Sequence, residues 1–213
     1  MKKFAKLSLV AAVAVTSMVT ASAKDLTEAI KGVDVSGTTV YRYDDKSTTG
    51  SKNDYKIGIT AKAKVNDDIT AVTRVLAAGD KNAFDGNNHK STERDSAIDV
   101  SVSNVYFMYN GLENTTVSIG KQGIATPFTK AIDSDGSEQT GSGISATTKL
   151  GMLTATASYF NTTNLSKATD NEDLMVAGLM GSFSSVKAEA WYIDLADHFN
   201  QYFVKASAKV GPV

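Results

Sequence analysis

Apolar and polar residues alternate with a period of two through most of the chain after residue 32. In the stretch "YKIGITAKAKV", Ile57 and Ile59 fall on one face, whereas Lys56, Thr60 and Lys62 fall on the other. A helix would scatter these polar residues around its axis, but successive side chains of a strand point to opposite faces. The pattern therefore predicts β-strands that have one apolar face and one polar face.

Ten strands are predicted on this basis. They lie near residues 33–43, 55–65, 69–78, 97–109, 115–121, 144–150, 152–160, 173–181, 185–194 and 201–210. In the fourth strand Val102 belongs to one alternating set and Val105 to the other. A bulge near Ser103 and Asn104 would bring both valines to the same face, because a bulge inserts one extra residue into a strand.

The connections between these strands alternate between long and short. Loops are expected at residues 44–54, 79–96, 121–143 and 161–172, and tight turns at 66–68, 110–114, 150–151 and 182–185. Short turns at one end and longer loops at the other are typical of outer-membrane β-barrels. The fold class predicted is all-β, an antiparallel meander of about ten transmembrane strands.

Aromatic residues gather at the two ends of the predicted strands, as they do at membrane interfaces. On the loop side the sequence places Tyr41, Tyr43, Tyr55, Tyr159, Phe160, Trp191, Tyr192, Tyr202 and Phe203, and on the turn side Tyr106, Phe107, Tyr109 and Phe183. We therefore expect the apolar strand faces to meet lipid and the polar faces to meet water.

The first 23 residues have the features of a secretory signal peptide. Three lysines precede an apolar run, and Ala21-Ser22-Ala23 forms an A-x-A cleavage site. Cleavage leaves a predicted domain at residues 24–213, in which 19 basic residues face 23 acidic residues. That balance argues against nucleic acid as a partner, and the absence of Cys excludes a disulfide scaffold.

The stretches "LTEAIKGVDVSGTTVYRYD", "SNVYFMYNGLENTTVSIGKQ" and "TPFT" resemble the major outer membrane protein (porin) family of campylobacters and related bacteria. The resemblance implies localisation in the outer membrane, contact with its lipid, and a homotrimer. It also implies a water-filled channel for passive diffusion of ions and small hydrophilic solutes. The third long loop of such a channel folds into the barrel and narrows it.

Members of that family look about twice as long as this chain. Ten strands close only a narrow barrel, whereas roughly 16 to 18 strands enclose an aqueous channel. We therefore expect the chain to be the N-terminal half of a barrel with 16–18 strands, and so a truncated sequence. The alternative is a small barrel or sandwich that acts as a surface adhesin or binding module through its loops.

The segment at residues 121–143 is the third long connection, and it carries the candidate site. Its expected role is the pore constriction, and a polar segment suits that role because it must lie in water. The constriction residues expected are Lys121, Lys130, Asp133, Asp135 and Glu138, and the lumen-facing basic wall is expected to include Arg42, Lys62, Arg74 and Lys149. Acids and bases on opposite sides of a narrow throat sort ions, and the loop acids favour cations.

No cofactor and no catalytic activity are expected. A divalent cation such as Ca²⁺ at Asp133, Asp135 and Glu138 is the alternative considered, and residues 85–95 lack the ligand spacing of a calcium loop. The two histidines, His89 and His198, lie in predicted loops. With no Cys in the chain, neither histidine has the setting of a hydrolytic site.

Overall fold

The computed structural model describes residues 32–46, 50–78, 98–134, 136–165, 173–209 and 211, so the predicted signal peptide lies outside it. These residues form one antiparallel ten-stranded meander in the order β1 to β10. The strands are β1 (Val33–Lys46), β2 (Gly50–Lys64), β3 (Ile69–Ala78), β4 (Asp99–Leu112), β5 (Thr115–Gly123), β6 (Thr140–Leu150), β7 (Leu153–Thr163), β8 (Leu174–Phe183), β9 (Val186–Leu195) and β10 (Phe199–Ala208). All ten predicted strands are confirmed.

The sheet is open in the part of the chain that the structure describes. There β1 pairs with β2 alone and β10 with β9 alone. No helix among the described residues is both long and apolar enough to cross a bilayer.

The two faces of the sheet differ as the alternation predicts. We call the face that contacts the loop at residues 124–139 the inner face, and the opposite face the outer face. In β2 the outer residues Ile57 and Ile59 are exposed, whereas Lys56 on the inner face is buried. Outer-face apolar side chains are largely exposed along most strands, which is the surface that a lipid environment would cover.

The predicted bulge in β4 is confirmed. Arg74 pairs with Asn104 and the next residue, Val75, pairs with Val102, so Ser103 is left without a partner in the ladder. The extra residue resets the alternation. As a result Val102 and Val105 are both exposed on the outer face.

The connections follow the predicted alternation only in part, because the first predicted long loop is wrong. Residues 44–46 and 50–54 belong to β1 and β2, because their ladder continues without a break to the pair Lys46 and Gly50. The short turns are confirmed at 65–68, 113–114, 151–152 and 184–185. Gly151 and Asn114 sit in two of these turns with φ of 62° and 55°, conformations that glycine and asparagine accept most readily.

The aromatic belts need a correction. Tyr41, Tyr43 and Tyr202 lie exposed on the outer face as expected, and Phe107 does so at the turn side. By contrast, four of the residues assigned to the belts point to the inner face, namely Tyr106, Phe160, Trp191 and Phe203. For Phe160, Trp191 and Phe203 the physical reason is that the inner face near β8 and β9 is apolar, so these rings pack there rather than against lipid.

Candidate functional site

The loop that connects β5 and β6 occupies residues 124–139 and lies across the inner face of the sheet. This is shorter than the predicted segment at residues 121–143. Lys121 therefore differs from the prediction, because it belongs to β5 and pairs with Val105 of the outer face. Its side chain is exposed there, and the neighbouring Gln122 is the residue that is buried on the inner face.

A buried ion pair fixes one part of the loop to β3. Nε of Arg74 lies 3.0 Å from both carboxylate oxygens of Glu138, and its Nη2 donates to Oε1 at 2.7 Å. Nη1 of the same guanidinium donates to Oγ1 of Thr60 at 3.0 Å. The side chains of Arg74 and Glu138 are 2% and 1% exposed. Such a two-point contact fixes orientation as well as distance, because the guanidinium is a rigid fork.

Lys56 of β2 ties the same loop through its backbone. Its ammonium donates to the carbonyl oxygens of Asp133 at 2.6 Å and of Gly136 at 2.8 Å, and it lies 4.0 Å from Oε1 of Glu138. The Lys56 side chain is 2% exposed. Two buried cations thus converge on one carboxylate and on the loop backbone. We call Lys56, Arg74 and Glu138 the charged anchor.

Hydrogen bonds within and beside the loop hold its two ends together. The backbone N–H of Ile124 donates to the carbonyl of Gln139 at 2.9 Å, and Gln139 N–H donates to the carbonyl of Lys130 at 2.9 Å. Asn164, which follows β7, donates from Nδ2 to the Glu138 carbonyl at 2.7 Å and accepts from Thr140 N–H at 2.8 Å. The loop is therefore an ordered structure that uses its backbone polar groups internally.

An apolar cluster fixes the other part of the loop to β7–β10. Ile124 is buried in this cluster, and Phe128 packs against it. The Phe128 ring contacts Phe203 of β10 edge to face, with centroids 6.1 Å apart. The buried members of this cluster, which we call the apolar anchor, are Ile124, Phe160, Leu174, Val176, Trp191, Ile193 and Leu195. The loop thus joins two separate parts of the inner face.

A glycine on an adjacent strand makes room for the largest side chain in each anchor. A Cβ at Gly58 would clash with Nη2 of Arg74, and a Cβ at Gly178 would clash with the ring of Trp191. Both side chains therefore lie over the glycine of the neighbouring strand, which is a close approach of the kind that glycine in a strand often marks.

The structure brings some of the predicted site residues together and separates others. Within the loop, Glu138 is in the charged anchor, and the Lys130 ammonium lies 3.6 Å from a carboxylate oxygen of Asp133. Asp135 lies outside the described residues. Lys130 is largely exposed, whereas Asp133 is mostly covered.

All four predicted wall residues lie on the inner face, but only Arg74 lies in the charged anchor. Arg42 lies 3.1 Å from Asp44 and 3.3 Å from Asp54, both on the inner face. Lys62 and Lys149 are exposed toward the short-turn end.

The apolar anchor was not predicted from the sequence. A signal was present, because β8 is apolar on both faces, with Leu174 and Val176 inside and Met175 and Leu179 outside. A strand with two apolar faces is covered on both sides. The glycines at positions 58 and 178 were a second signal, since an isolated glycine in a strand often marks a close approach.

Within the described residues, no group of three or more acidic or histidine side chains is placed to hold a metal ion. Asp135 is not part of that set, so the divalent-cation alternative stays an expectation. His198 is exposed in the turn between β9 and β10.

The fold is that of an outer-membrane porin. Similar solved structures include Pseudomonas aeruginosa OccK8 (OprE), with a TM-score of 0.61, 15% identity, and coverage of 85% of this chain and 52% of that one. A BenF-like porin from Pseudomonas fluorescens Pf-5 has a TM-score of 0.59, 15% identity, and coverage of 83% and 53%. Acinetobacter baumannii OccAB1 has a TM-score of 0.53, 15% identity, and coverage of 81% and 47%. The chain spans about half the length of these porins.

The family follows from the sequence itself. A model of the Campylobacter major outer membrane protein family matches residues 1–190 of the 213 in the chain. The chain therefore belongs to this family and is an outer-membrane protein, as the N-terminal resemblance predicts. No curated protein shows significant sequence similarity to it.

Proposed function

We propose that this chain forms part of a water-filled outer-membrane channel, in which the loop at residues 124–139 is the constriction. The channel passes ions and small hydrophilic solutes by diffusion, and it is not an enzyme. Membership of the porin family and the likeness to solved porins support the channel. The observation that carries the constriction is the charged anchor, which holds the loop on the inner face.

Two physical features of the loop suit a constriction. It is fixed at both the charged and the apolar anchor, so it cannot swing freely and block the passage at random. It also leaves polar groups exposed between these fixed points, among them Ser134, Ser137 and Lys130. A loop that is fixed at two places and has a polar surface narrows a channel and leaves it filled with water.

The ion preference depends on which charges remain exposed. Glu138 is neutralised by Arg74 and Lys56, and Asp133 is paired with Lys130. Two of the three loop acids are therefore compensated by lysine or arginine, and this compensation weakens the cation preference expected from the loop. The resemblance to the porin family also implies a homotrimer with lipid around it, and chemical crosslinking in outer membranes would detect a three-subunit species.

A single-cysteine experiment tests the constriction, because the chain has no cysteine of its own. Ser137→Cys places a thiol on the exposed part of the loop, and Ser185→Cys places one in a short turn as the matched control. Each variant of the full-length protein is inserted into planar bilayers and treated with a bulky water-soluble thiol reagent. We expect a large drop in single-channel conductance for Ser137→Cys and little change for Ser185→Cys. Equal responses would contradict the constriction.

No contact of the 124–139 loop supports the alternative role as an adhesin. An adhesin presents its loops to a partner outside the cell, whereas the 124–139 loop packs on the inner face through Ile124 and Glu138. Channel conductance separates the two functions directly, since an adhesin without a pore would leave a bilayer insulating.

A further inference from the structure

The outer face of the sheet carries two opposite charges among apolar residues. Lys121 of β5 pairs with Val105, and Asp194 of β9 pairs with Met175, so both charged side chains point outward with these apolar partners. Val105 and Met175 are 49% and 51% exposed on that face. Lys121 is exposed as well, and Asp194 is partly exposed. A face that lipid would cover therefore carries a cation on β5 and an anion on β9.

Both charges lie within the apolar band rather than at its rim. A strand rises about 3.4 Å per residue and a barrel strand tilts by about 45°, so each residue adds about 2.4 Å of height. Counted from the short turns at 113–114 and 184–185, Lys121 lies about 17 Å up and Asp194 about 22 Å up. The apolar band of an outer-membrane barrel is about 25 Å tall. The two charges are therefore at similar depths inside it.

Neither charge is compensated by an opposite charge within its own chain. In the part of the chain that the structure describes, no salt bridge includes Lys121 or Asp194. The hydroxyl of Tyr192 is hydrogen-bonded to Asp194, but a neutral donor leaves the negative charge in place. Charged side chains on the lipid face destabilise a barrel most near the middle of the bilayer. A protein surface that brings the opposite charge would remove this cost.

The surface between the two charges is smooth. Ala146, Ala157 and Ala177 pair in one row across β6, β7 and β8 and point outward. Small residues at an interface within a membrane let two backbones approach closely. The alanines alone would not define a contact, but they leave room for one between Lys121 and Asp194.

A second copy of this chain has the chemistry that this face needs, because it brings its own Asp194 to Lys121. A head-to-tail contact joins two different patches of identical subunits and closes into a ring. In a ring of three copies, the two contact lines of a subunit lie about one sixth of its circumference apart. That separation is about three strands in a barrel of 16 to 18 strands. The three strands β6, β7 and β8 lie between the two charges.

We infer that the outer face of β5–β9 is the contact face between copies of this chain, in which Lys121 of one subunit pairs with Asp194 of the next. This inference rests on the proposed channel and on the homotrimer that the family resemblance implies. It adds which face of the barrel is covered by protein and which charges set the direction of the ring. The outer face of β1–β4 is then left to lipid.

Paired cysteines test the contact directly, because the chain has no cysteine of its own. The full-length protein with both Lys121→Cys and Asp194→Cys is treated in outer membranes with a short uncharged bis-maleimide and separated on a denaturing gel. We expect covalent dimers and trimers. Each single variant should stay monomeric, since a head-to-tail contact does not bring the same position of two copies together. Monomer alone from the double variant would overturn the inference.

Val35→Cys combined with Val102→Cys is the matched control on β1 and β4. These positions are 66% and 47% exposed on the outer face, outside the proposed contact. We expect no product between subunits from this pair. Equal crosslinking by the two pairs would show random collision in the membrane, and it would also overturn the inference.

An exchange of the two charges distinguishes an ion pair from mere proximity. Lys121→Glu places two carboxylates opposite each other, and Asp194→Lys places two ammonium groups opposite each other. Either change should raise the ratio of monomer to trimer in detergent at least about tenfold, because like charges repel at an interface. The double exchange restores the pair, so its ratio should return to that of the unchanged protein. A double exchange as dissociated as the single variants would overturn the pairing.

Conductance keeps this test separate from the proposed channel. A crosslinked trimer that carries no current in planar bilayers would support the contact face and contradict the channel. A protein that conducts but yields no crosslinked species would overturn the contact face and leave the channel intact.

Discussion

The two anchors of the 124–139 loop hold the same segment by different forces. At β2 and β3 the loop is held by a buried carboxylate between two cations, and at β7–β10 it is held by buried apolar side chains. A buried ion pair depends on geometry, since each charge must be compensated after it leaves water. Apolar packing depends on area and shape instead. The charged anchor therefore determines the position of the loop on the inner face. The apolar anchor adds buried apolar contact, but this contact does not select a single position.

The two anchors also differ in how they should fail. Removal of one partner from the charged anchor leaves buried charge uncompensated, whereas removal of one methyl-rich side chain from the apolar anchor leaves a cavity. The first failure should release the loop as a whole. The second should loosen it locally. Four substitutions, taken from the largest expected effect to the smallest, test this difference, and two further variants serve as controls.

Glu138→Gln should have the largest effect, because it leaves the buried Arg74 and Lys56 facing a neutral amide. Breaking a buried pair by removing one partner costs about 3–5 kcal/mol. We expect a matching loss in the free energy of unfolding of the full-length protein in detergent, measured with urea. Single-channel recordings should also become noisier as the loop detaches.

Arg74→Lys is the control for that prediction. It keeps the positive charge but loses the fork that contacts both oxygens of Glu138. Its loss in stability should therefore be smaller than that of Glu138→Gln. If Glu138→Gln left both stability and channel noise unchanged, the charged anchor would not hold the loop.

Ile124→Ala tests the apolar anchor at the loop itself. Ile124 is 1% exposed, and truncation of a buried isoleucine to alanine costs about 2–5 kcal/mol, with the lower part expected where a loop can relax. Its effect should not depend on salt concentration, because the substitution removes no charge. Urea unfolding at low and high salt checks both expectations, and Ile132→Ala, at an exposed loop position, is the matched control.

Gly178→Ala tests the space that β8 gives to Trp191. The new methyl group would meet the indole ring, and overpacking of this kind costs about 1–3 kcal/mol. The displaced ring should also change the fluorescence of Trp191, which is the single tryptophan in this sequence. An unchanged emission spectrum would show that the ring does not lie against Gly178.

Lys130→Gln should have the smallest effect. Its ion pair with Asp133 spans 3.6 Å, and the lysine side chain is 71% exposed. Exposed pairs contribute less than about 1 kcal/mol, because water and salt screen them. A loss in unfolding free energy as large as that of Glu138→Gln would remove the distinction between buried and exposed charge on this loop.

The fold was largely predictable because strand alternation is a local property. Ile57 and Lys56 fall on opposite faces whatever the rest of the chain does, and the mismatch of Val102 and Val105 required a bulge. The position of the third loop and the presence of Glu138 and Arg74 in the site also followed from order along the chain. The boundaries were less accurate, as Lys121 shows, because a strand continues for as long as its neighbours offer hydrogen bonds.

Only the tertiary structure decided which charges meet. Arg74 and Glu138 are 64 positions apart, and no local pattern distinguishes Arg74 from Arg42, which lies instead beside Asp44 and Asp54. The inward turn of Trp191 likewise depends on Gly178 of the next strand and on the apolar surface of a loop from elsewhere in the chain. The sequence by itself determined the strands, their two faces and the family. Pairing between distant side chains was decided by packing, because burial turns a weak attraction into a specific contact.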